Sequence, residues 1–477
     1  MQGYTKYIFL FLLLTFSLIA SSTINYNENI KKAHSFLLNY ELNKASSILD
    51  KEKQTDPSNI YIAYLNSYKL FLKSYFNATT KSYTEFDKAS SKCLDLIDDE
   101  INNDELLGLS AMVYIQRAYI YFLWSEPFSY ASALAKGQKR IDAINPHTKN
   151  IEYLKIRSIY EVIGGSVPNK FKTYAKWFGI KGSPQKGIQL INIYLTKVEQ
   201  NSPNKTEGEI VNLYLKNFLD LKSPQIKNKN SVIATYVFLQ TCSELASIKI
   251  SRINQLKKES LPSYYTFLEA KYKLELQDES GLLLMDKFIN SNKGLSLVQS
   301  AHFYKYWYYC ANRNITKQKE ELSLIKNSGE PLFPFDKKVL SRIEHLCNPD
   351  LIKSRMLFDA GDYNKALHIL KNKNIKESLI TPNQKIEYLY RMARIYEKTN
   401  KYNQAINLYQ KVINTNKPEL YFVSYSSYRL GRIYEELNNL NQAKLAYKKA
   451  LDLNQGEYKI SIEKKCQFAL DMLKIGK

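Results

Sequence analysis

A segment of eight residues occurs twice near the end of this chain, and the two copies lie 38 residues apart. Residues 390–397 read YRMARIYE and residues 428–435 read YRLGRIYE. At the same offset behind each copy, residues 403–405 and 441–443 both read NQA. A duplication with a period of this size is typical of folds built from one repeated unit, which buries its apolar face only by stacking on its neighbours.

The duplicated segments resemble the tetratricopeptide repeat (TPR), a hairpin of two helices, A and B. Small residues let the two helices approach closely, and aromatic residues fill the gap to the next hairpin. The resemblance implies an all-α fold, an α-solenoid of antiparallel helix hairpins that forms a TPR-like superhelix. The residues that carry it are Ala393, Tyr396, Ala405 and Tyr409 in one copy and Gly431, Tyr434, Ala443 and Tyr447 in the other.

Weaker copies of the pattern occur elsewhere in the chain. One covers residues 356–366 and has Leu370 in an aromatic position, and another consists of Ala33, Phe36, Ala45, Leu49 and Pro57. Between the copies, apolar residues recur at spacings of three and four, which predicts helices over 60–75, 105–124, 130–144, 232–256 and 298–310. We therefore predict a signal peptide at 1–22, a degenerate TPR-like helical region at 23–200, middle helical hairpins at 201–348 and C-terminal TPR repeats at 349–477.

The N-terminus has the pattern of a secretory signal peptide. Lys6 precedes an apolar stretch over residues 7–20, and the small residues Ser21 and Ser22 follow it. The alternative is a retained membrane anchor, but the stretch is shorter than the roughly 20 residues of a spanning helix. We expect cleavage near Ser22 and a periplasmic, extracellular or outer-membrane associated protein.

Composition and motifs argue against several functions. The net charge of +22 is spread over the whole chain and interleaved with acidic residues, so we expect no nucleic-acid partner. The five cysteines show no metal-ligand spacing, and we expect most of them to be small buried residues. The histidines are isolated, and the closeness of His345 and Cys347 along the chain does not make a nucleophile and base. We expect no metal, no cofactor and no enzymatic activity.

A glycine-rich stretch over residues 162–187 has no phosphate-loop spacing, so we predict a helix hairpin with tight turns. Its segment 177–187, with the pattern WFGIxGxxxxG, resembles the signature of the tetratricopeptide-repeat protein 39 and inclusion-clearance family. Members of that family have degenerate repeats in the N-terminal half and better ones at the C-terminus. They act inside eukaryotic cells, whereas this chain has an export signal. The resemblance therefore implies an exported bacterial relative, and the family's roles are not transferred.

The candidate binding residues lie on the duplicated helix A, which lines the concave groove in the repeat fold. Two neighbouring helices present the same Tyr-Arg-Arg set, which would suit acidic side chains or a terminal carboxylate of a peptide. The set comprises Tyr390, Arg391 and Arg394 in the first copy and Tyr428, Arg429 and Arg432 in the second. The alternative is that Glu387, Glu435 and Glu436 occupy these arginines in ion pairs within each helix.

The predicted function is an exported scaffold or adaptor that binds a protein or peptide partner through its groove, and the arginines would suit an acidic partner. The alternative function is an envelope glycan- or lipid-binding module of the same fold, which would use the many aromatic residues. The aromatic run 303–309 is the densest, and we predict that it packs in the core rather than forming a platform for a ligand.

Overall fold

The computed structural model describes residues 23–98, 103–222, 231–256, 261–292, 296–328, 331–333, 336–343, 348–372 and 375–475. The predicted signal peptide at 1–22, and His345 and Cys347, lie outside the described residues. The helices are α1 Glu28–Leu38, α2 Leu42–Thr55, α3 Ile60–Phe76, α4 Thr80–Asp98, α5 Asp104–Leu123, α6 Pro127–Ala143, α7 Glu152–Gly165, α8 Lys172–Trp177, α9 Pro184–Lys197, α10 Pro203–Phe218, α11 Val232–Thr241, α12 Ala246–Gln255, α13 Ser263–Glu275, α14 Ser280–Ser291, α15 Val298–Ala311, α16 Ile315–Asn327, α17 Val339–Ile343, α18 Pro349–Asp359, α19 Tyr363–Lys371, α20 Ile375–Ser378, α21 Pro382–Lys398, α22 Tyr402–Ile413, α23 Tyr421–Glu436, α24 Leu440–Asp452 and α25 Lys459–Ile475.

Helices that follow one another in the chain pack in pairs, as in α1 with α2, α5 with α6, α13 with α14, and α23 with α24. Each pair is a hairpin that stacks on the next. For example, α22 packs on α23, and α14 packs on α15. The all-α fold, an α-solenoid of helix hairpins, is confirmed. The division into the four predicted segments stays a prediction.

One turn geometry recurs in these hairpins. The residue just beyond helix A has a positive φ, and the next residue donates its backbone N–H to a carbonyl five positions earlier, which is the Schellman motif. In the α21–α22 turn, Asn400 has φ 57° and Lys401 N lies 2.8 Å from Tyr396 O. The left-handed residues of these hairpin turns are Tyr40, Ser125, Gln277, Arg313, Gly361, Asn400 and Asn438. The turn therefore marks repeats along the chain well beyond the two clear sequence copies.

Small residues sit where paired helices touch. Ala393, Ala405 and Ala443 are fully buried. At Gly431, an added Cβ would lie 2.4 Å from Cε1 of Tyr447, whose side chain is also fully buried. The steric reason given for the repeat pattern therefore holds in the structure.

The glycine-rich stretch forms a tight hairpin, as predicted. Helices α7 and α9 pack together, and the backbone near Gly164 meets the backbone near Gly182. A Cβ at Gly164 would lie 2.3 Å from the carbonyl oxygen of Lys181, so a side chain there would push the two segments apart. The residues between them, 169–179, extend away from this closed base and are almost all exposed.

The helix predicted over 232–256 was wrong as a single element, because α11 ends at Thr241 and α12 begins at Ala246. The backbone N–H of Ala246 donates to the carbonyl oxygen of Ala360 at 2.8 Å. Gly361, in the following turn, leaves room for the side chain of Leu245. A contact from a distant turn therefore occupies the break, and local periodicity carries no information about it.

The aromatic run on α15 packs as predicted, since Phe303, Tyr304, Tyr306 and Trp307 are all buried. The expectation for the cysteines holds at Cys93 and Cys466, which are buried and free. Cys310 is also buried but is disulfide-bonded, and Cys242 is free and half-buried.

By length and composition, α5 is the one helix among the described residues that could cross a membrane. However, 78% of its apolar window is buried inside the protein. Its side chains, such as Leu106, Val113 and Ile120, belong to the largest core cluster. We therefore assign α5 to the core.

We predict that Gly431→Ala lowers the free energy of unfolding by about 1–3 kcal/mol, because the new methyl group overlaps the buried ring of Tyr447. Gly108→Ala on α5 is the matched control, since its nearest obstacle is the flexible end of Ile156 at 3.3 Å. The control should be neutral or stabilising by up to about 1 kcal/mol through helix propensity. Chemical denaturation of both variants measures the difference, and equal effects would contradict the packing argument.

Candidate functional site

The duplicated helix A segments lie on α21 and α23, and their tyrosines are buried rather than open to the groove. Tyr390 is packed against Phe422, with ring centroids 5.0 Å apart. Tyr428 is packed against Tyr447 on α24, with ring centroids 5.8 Å apart. The two rings are therefore part of the seams between helices, and their hydroxyl groups are the parts left for polar contacts.

Two of the four arginines form the ion pairs that the sequence suggested as the alternative. Arg391 pairs with Glu387 one turn earlier on α21. Arg432 pairs with Glu435, with Nη1 and Oε2 2.8 Å apart. These pairs hold the two guanidinium groups against their own helices.

Arg429 makes a contact that sequence reasoning missed. It reaches from α23 to Glu397 on α21, where Arg429 Nε lies 3.0 Å from Oε2. Tyr409 on α22 donates its hydroxyl proton to the same carboxylate at 2.5 Å. Glu397 is thus a buried junction between three helices of two repeats. The sequence shows Glu397 as the last residue of the duplicated octet, but it does not show that Arg429 of the next repeat is its partner.

A carboxylate from a distant part of the chain also reaches this groove. Asp220, in the turn after α10, accepts a hydrogen bond from the hydroxyl of Tyr428 at 2.5 Å and one from Lys465 Nζ at 3.3 Å. Arg429 Nη1 lies 3.8 Å away. Burial raises the pKa of Asp220, but the cations and the Tyr428 hydroxyl outweigh it and lower the pKa to about 2. Asp220 is 208 residues from Tyr428, so no local pattern could have indicated the pair.

The other half of the predicted set borders an open cavity of about 90 Å³ between α18, α21 and α23. This is room for a carboxylate group or for a few water molecules. The side chains around it are mainly cationic and aromatic. The lining residues are Ser354, Arg355, Phe358, Asp359, Tyr390, Arg391, Arg394, Ile395 and Tyr421.

Among the three arginines at this cavity, Arg394 has a buried nitrogen without a hydrogen-bond partner. Its Nη1 donates to the hydroxyl oxygen of Tyr390 at 3.0 Å, and its guanidinium lies 5.0 Å from the ring centroid of Phe358. The nearest carboxylate oxygen is on Glu397, 3.8 Å from Nε, and that buried Nε has no hydrogen-bond partner. A buried donor without a partner is costly unless something else fills the site.

Arg355 was not among the predicted site residues. It stacks over Trp307 at 4.3 Å, and its Nε lies 3.8 Å from Asp359. Arg355, Arg394 and Arg432 each lie six positions before the left-handed residue of their hairpin turn. The same position in the two preceding hairpins holds Trp307 and Lys271. We call these five residues, Lys271, Trp307, Arg355, Arg394 and Arg432, the groove ladder.

The groove ladder gives successive hairpins a cation at one equivalent position, interrupted by one tryptophan. Three guanidinium groups and one carboxylate line the cavity itself. Close to the cavity, burial and then the neighbouring Arg394 lower the pKa of Arg429 to about 10. The arrangement therefore favours binding of an anion, and guanidinium groups bind carboxylates in bidentate fashion. Among the described residues, no group of three or more His, Cys, Asp or Glu could hold a metal ion.

A family model described as the tetratricopeptide repeat matches residues 386–418 and 425–457. These two segments are tetratricopeptide repeats. They contain α21 to α24 and so contribute Tyr390, Arg391 and Arg394 to the cavity. The TPR fold accounts for the groove, and TPR folds are typically scaffolds that bind proteins.

Among solved structures, the chain is similar to one titled "Crystal Structure of the Yeast Tom70". The identity is 12%, and the alignment covers 94% of this chain and 95% of that one with a TM-score of 0.24. At that TM-score the similarity supports no conclusion about this chain. No curated protein sequence matches it.

We predict that Asp220→Asn lowers the free energy of unfolding by about 2 kcal/mol at pH 7, because the depressed pKa means that the folded state favours the charged carboxylate. This contribution is complete above about pH 4, where the unfolded chain is also ionised. It is lost as the pH falls toward about 2, so the variant and the parent should converge there. Denaturation at several pH values measures the difference.

The matched control is Asp95→Asn on α4, which removes an exposed carboxylate. It should change stability by less than about 0.5 kcal/mol at every pH. A pH-independent effect of Asp220→Asn would show that its charge does not stabilise the fold.

Proposed function

We propose that this protein is an exported adaptor that holds an acidic peptide segment of a protein partner in its concave groove. The observation that carries the proposal is the half-buried Arg394, whose buried Nε has no hydrogen-bond partner, at the edge of an open cationic cavity. The groove ladder extends the same chemistry over several hairpins. The mechanism is complementarity between groove and peptide, and no bond is made or broken.

The protein itself contains an example of this kind of binding. The carboxylate of Asp220 is held by Tyr428, Lys465 and Arg429 within the C-terminal repeats. The cavity beside it is lined by Arg355, Arg394 and the hydroxyl of Tyr390, together with Arg391, which is already paired with Glu387. The carboxylate in the lining is that of Asp359. An Asp, Glu or terminal carboxylate of a bound peptide would therefore provide the cations of this hairpin with a carboxylate partner, as Asp220 does for those of the next hairpin.

The burial of the aromatic side chains on α15 favours a peptide rather than a glycan as the ligand. Tyr304, Tyr306 and Trp307 are buried, so they do not form a flat platform on which a sugar ring could stack. Trp307 contributes instead by supporting the guanidinium of Arg355. This contact fixes the direction of the cation, which is useful for binding a carboxylate in a defined position.

Export is part of the proposal. Thr23 donates its backbone N–H to Ser58 O at 3.1 Å, and its hydroxyl contacts the carboxylate of Asp56. A mature chain that begins at Thr23 would keep all of these contacts. The disulfide at Cys310 also suits an oxidising compartment.

We predict that the protein isolated from its native host begins at or near Thr23, because cleavage after Ser22 removes only the apolar leader. N-terminal sequencing of the protein from the envelope or medium fraction tests this. A protein that begins at Met1 and stays in the membrane fraction after a high-salt wash would support the retained anchor instead.

The finer relationship also belongs to this proposal. We infer that the chain is an exported bacterial relative of the tetratricopeptide-repeat protein 39 and inclusion-clearance family. The support is the resemblance of segment 177–187, together with degenerate helix hairpins in the first part of the chain and clear repeats at its end.

We predict that Arg394→Glu and Arg355→Glu each weaken binding of an acidic peptide by about 10- to 100-fold, since each removes a charge-assisted hydrogen bond and adds a repulsive carboxylate. The probe is a fluorescein-labelled peptide of eight glutamates, measured by fluorescence anisotropy. An octaglutamine peptide is the uncharged comparison. Lys81→Glu is the matched control, because it makes the same charge change at an exposed position of α4.

Equal loss in Lys81→Glu would mean that the net charge, and not the cavity, attracts the peptide. Unchanged affinity in both arginine variants would contradict the proposed site. Crosslinking in the native host, followed by mass spectrometry, should then identify the partner, and its capture should be reduced in the Arg394→Glu and Arg355→Glu strains.

A further inference from the structure

The segment between α7 and α9 exposes aromatic side chains in a way that the rest of the described structure does not. Within eight residues, Phe171 is 45% exposed, Tyr174 57%, Trp177 76% and Phe178 49%. Elsewhere among the described residues, no more than two exposed aromatic rings lie within eight residues, as at Phe122 and Phe128, and other exposed groups are aliphatic, as at Leu437, Leu440 and Leu445. Scattered apolar residues are normal on a protein surface, whereas a cluster indicates an interaction site.

The same segment carries charge of one sign. Residues 162–198 contain six lysines and no Asp or Glu, although acidic residues are interleaved with basic ones elsewhere in the chain. Near the base, Lys181 pairs with Asp142 and Lys186 with Glu161. The lysines among the aromatic residues are Lys170, Lys172 and Lys176, and no carboxylate of the described structure pairs with them.

The fold leaves the side chains of this segment exposed to solvent. The close backbone contact of Gly164 with Lys181 and Gly182 closes the hairpin at its base. Beyond the base, the backbone N–H of Asn169 donates to Glu463 at 2.9 Å, which ties one side to α25. Tyr174 and Trp177 contact each other edge to face at 5.5 Å, and Lys170 lies 4.6 Å from the ring of Phe171. The exposed aromatic residues of segment 169–179 therefore lie among the lysines of the same segment.

We propose that residues 169–179 dock the protein onto the surface of an anionic lipid membrane. Trp and Tyr side chains prefer the boundary between lipid headgroups and acyl chains. Each lysine near an anionic surface adds electrostatic attraction that weakens as the salt concentration rises. The six-residue helix α8 is far too short to span a bilayer, so the segment lies in the interface.

Charge complementarity distinguishes this occupant from a protein partner. The segment carries three lysines, Lys170, Lys172 and Lys176, and these would repel a second copy of the same segment. A fluid anionic surface needs no matching shape, because aromatic rings and lysine side chains insert among headgroups. This site is separate in residues and in chemistry from the groove ladder.

The test uses the full chain and the fluorescence of Trp177. The probes are vesicles of phosphatidylcholine alone and of phosphatidylcholine with about one-third phosphatidylglycerol. We expect a blue shift, and quenching by brominated acyl chains, with the anionic vesicles only. Trp177→Phe should abolish the shift, since Trp307 is buried, Trp124 is partly buried and no tryptophan lies in residues 1–22. This readout is independent of any partition of the N-terminal apolar stretch.

Binding variants complete the test. Trp177→Ser with Phe178→Ser, and Lys170→Glu with Lys172→Glu and Lys176→Glu, should each weaken the binding that the Trp177 region reports by at least about tenfold. For the lysine variant, the Trp177 blue shift is titrated with vesicles. For the Trp177→Ser variant, a dye on a cysteine introduced at Thr173 replaces the lost fluorophore. Phe128→Ser is the matched control, because it removes an equally exposed ring elsewhere.

Circular dichroism checks that each variant is folded, and Trp177→Phe serves as the conservative variant if a double variant is not. An unmoved Trp177 spectrum with anionic vesicles would overturn the proposal. Equal binding to neutral vesicles would overturn it as well, as would concentration-dependent self-association that Trp177→Ser removes.

Discussion

The close approach of two helices within each hairpin is the constraint on which the rest of the structure depends. It requires a small residue on the contact face, as at Ala393 and Gly431, and a turn that reverses the chain within about three residues. The Schellman turn meets the second requirement by placing one residue in the left-handed region. Because the same turn recurs, equivalent positions of successive helices face the same way, and the groove ladder follows from that register.

The fold class could be predicted because the duplicated octet and the NQA segments show the repeat directly. The middle hairpins were harder to recognise, since glycine marks the left-handed turn position only at Gly361 among these turns, and tyrosine, serine, glutamine, arginine or asparagine occupies it elsewhere. The break between α11 and α12 depends on a hydrogen bond to Ala360, which is a tertiary contact. Local periodicity describes one helix at a time and contains neither feature.

Only part of the candidate site could be predicted, because spacing along the sequence indicates contacts within one helix and not between helices. Spacing within a helix indicated the pairs of Arg391 with Glu387 and of Arg432 with Glu435. The contact of Arg429 with Glu397 crosses a repeat boundary, and Asp220 comes from a separate region, so both require the packed structure. Arg355 had a usable signal, because it occupies the same turn-relative position as Arg394, but it becomes visible only when the turns are aligned.

Asp220 has a further consequence for any peptide in the groove. Because it is attached to the same chain, its carboxylate competes at a high effective concentration for Tyr428 and Arg429. A peptide that reaches beyond Arg394 toward α23 must displace it and break the contact with Lys465. In the proposed mode of binding, the carboxylate of Asp220 would therefore limit how many acidic residues of a peptide the groove can accept.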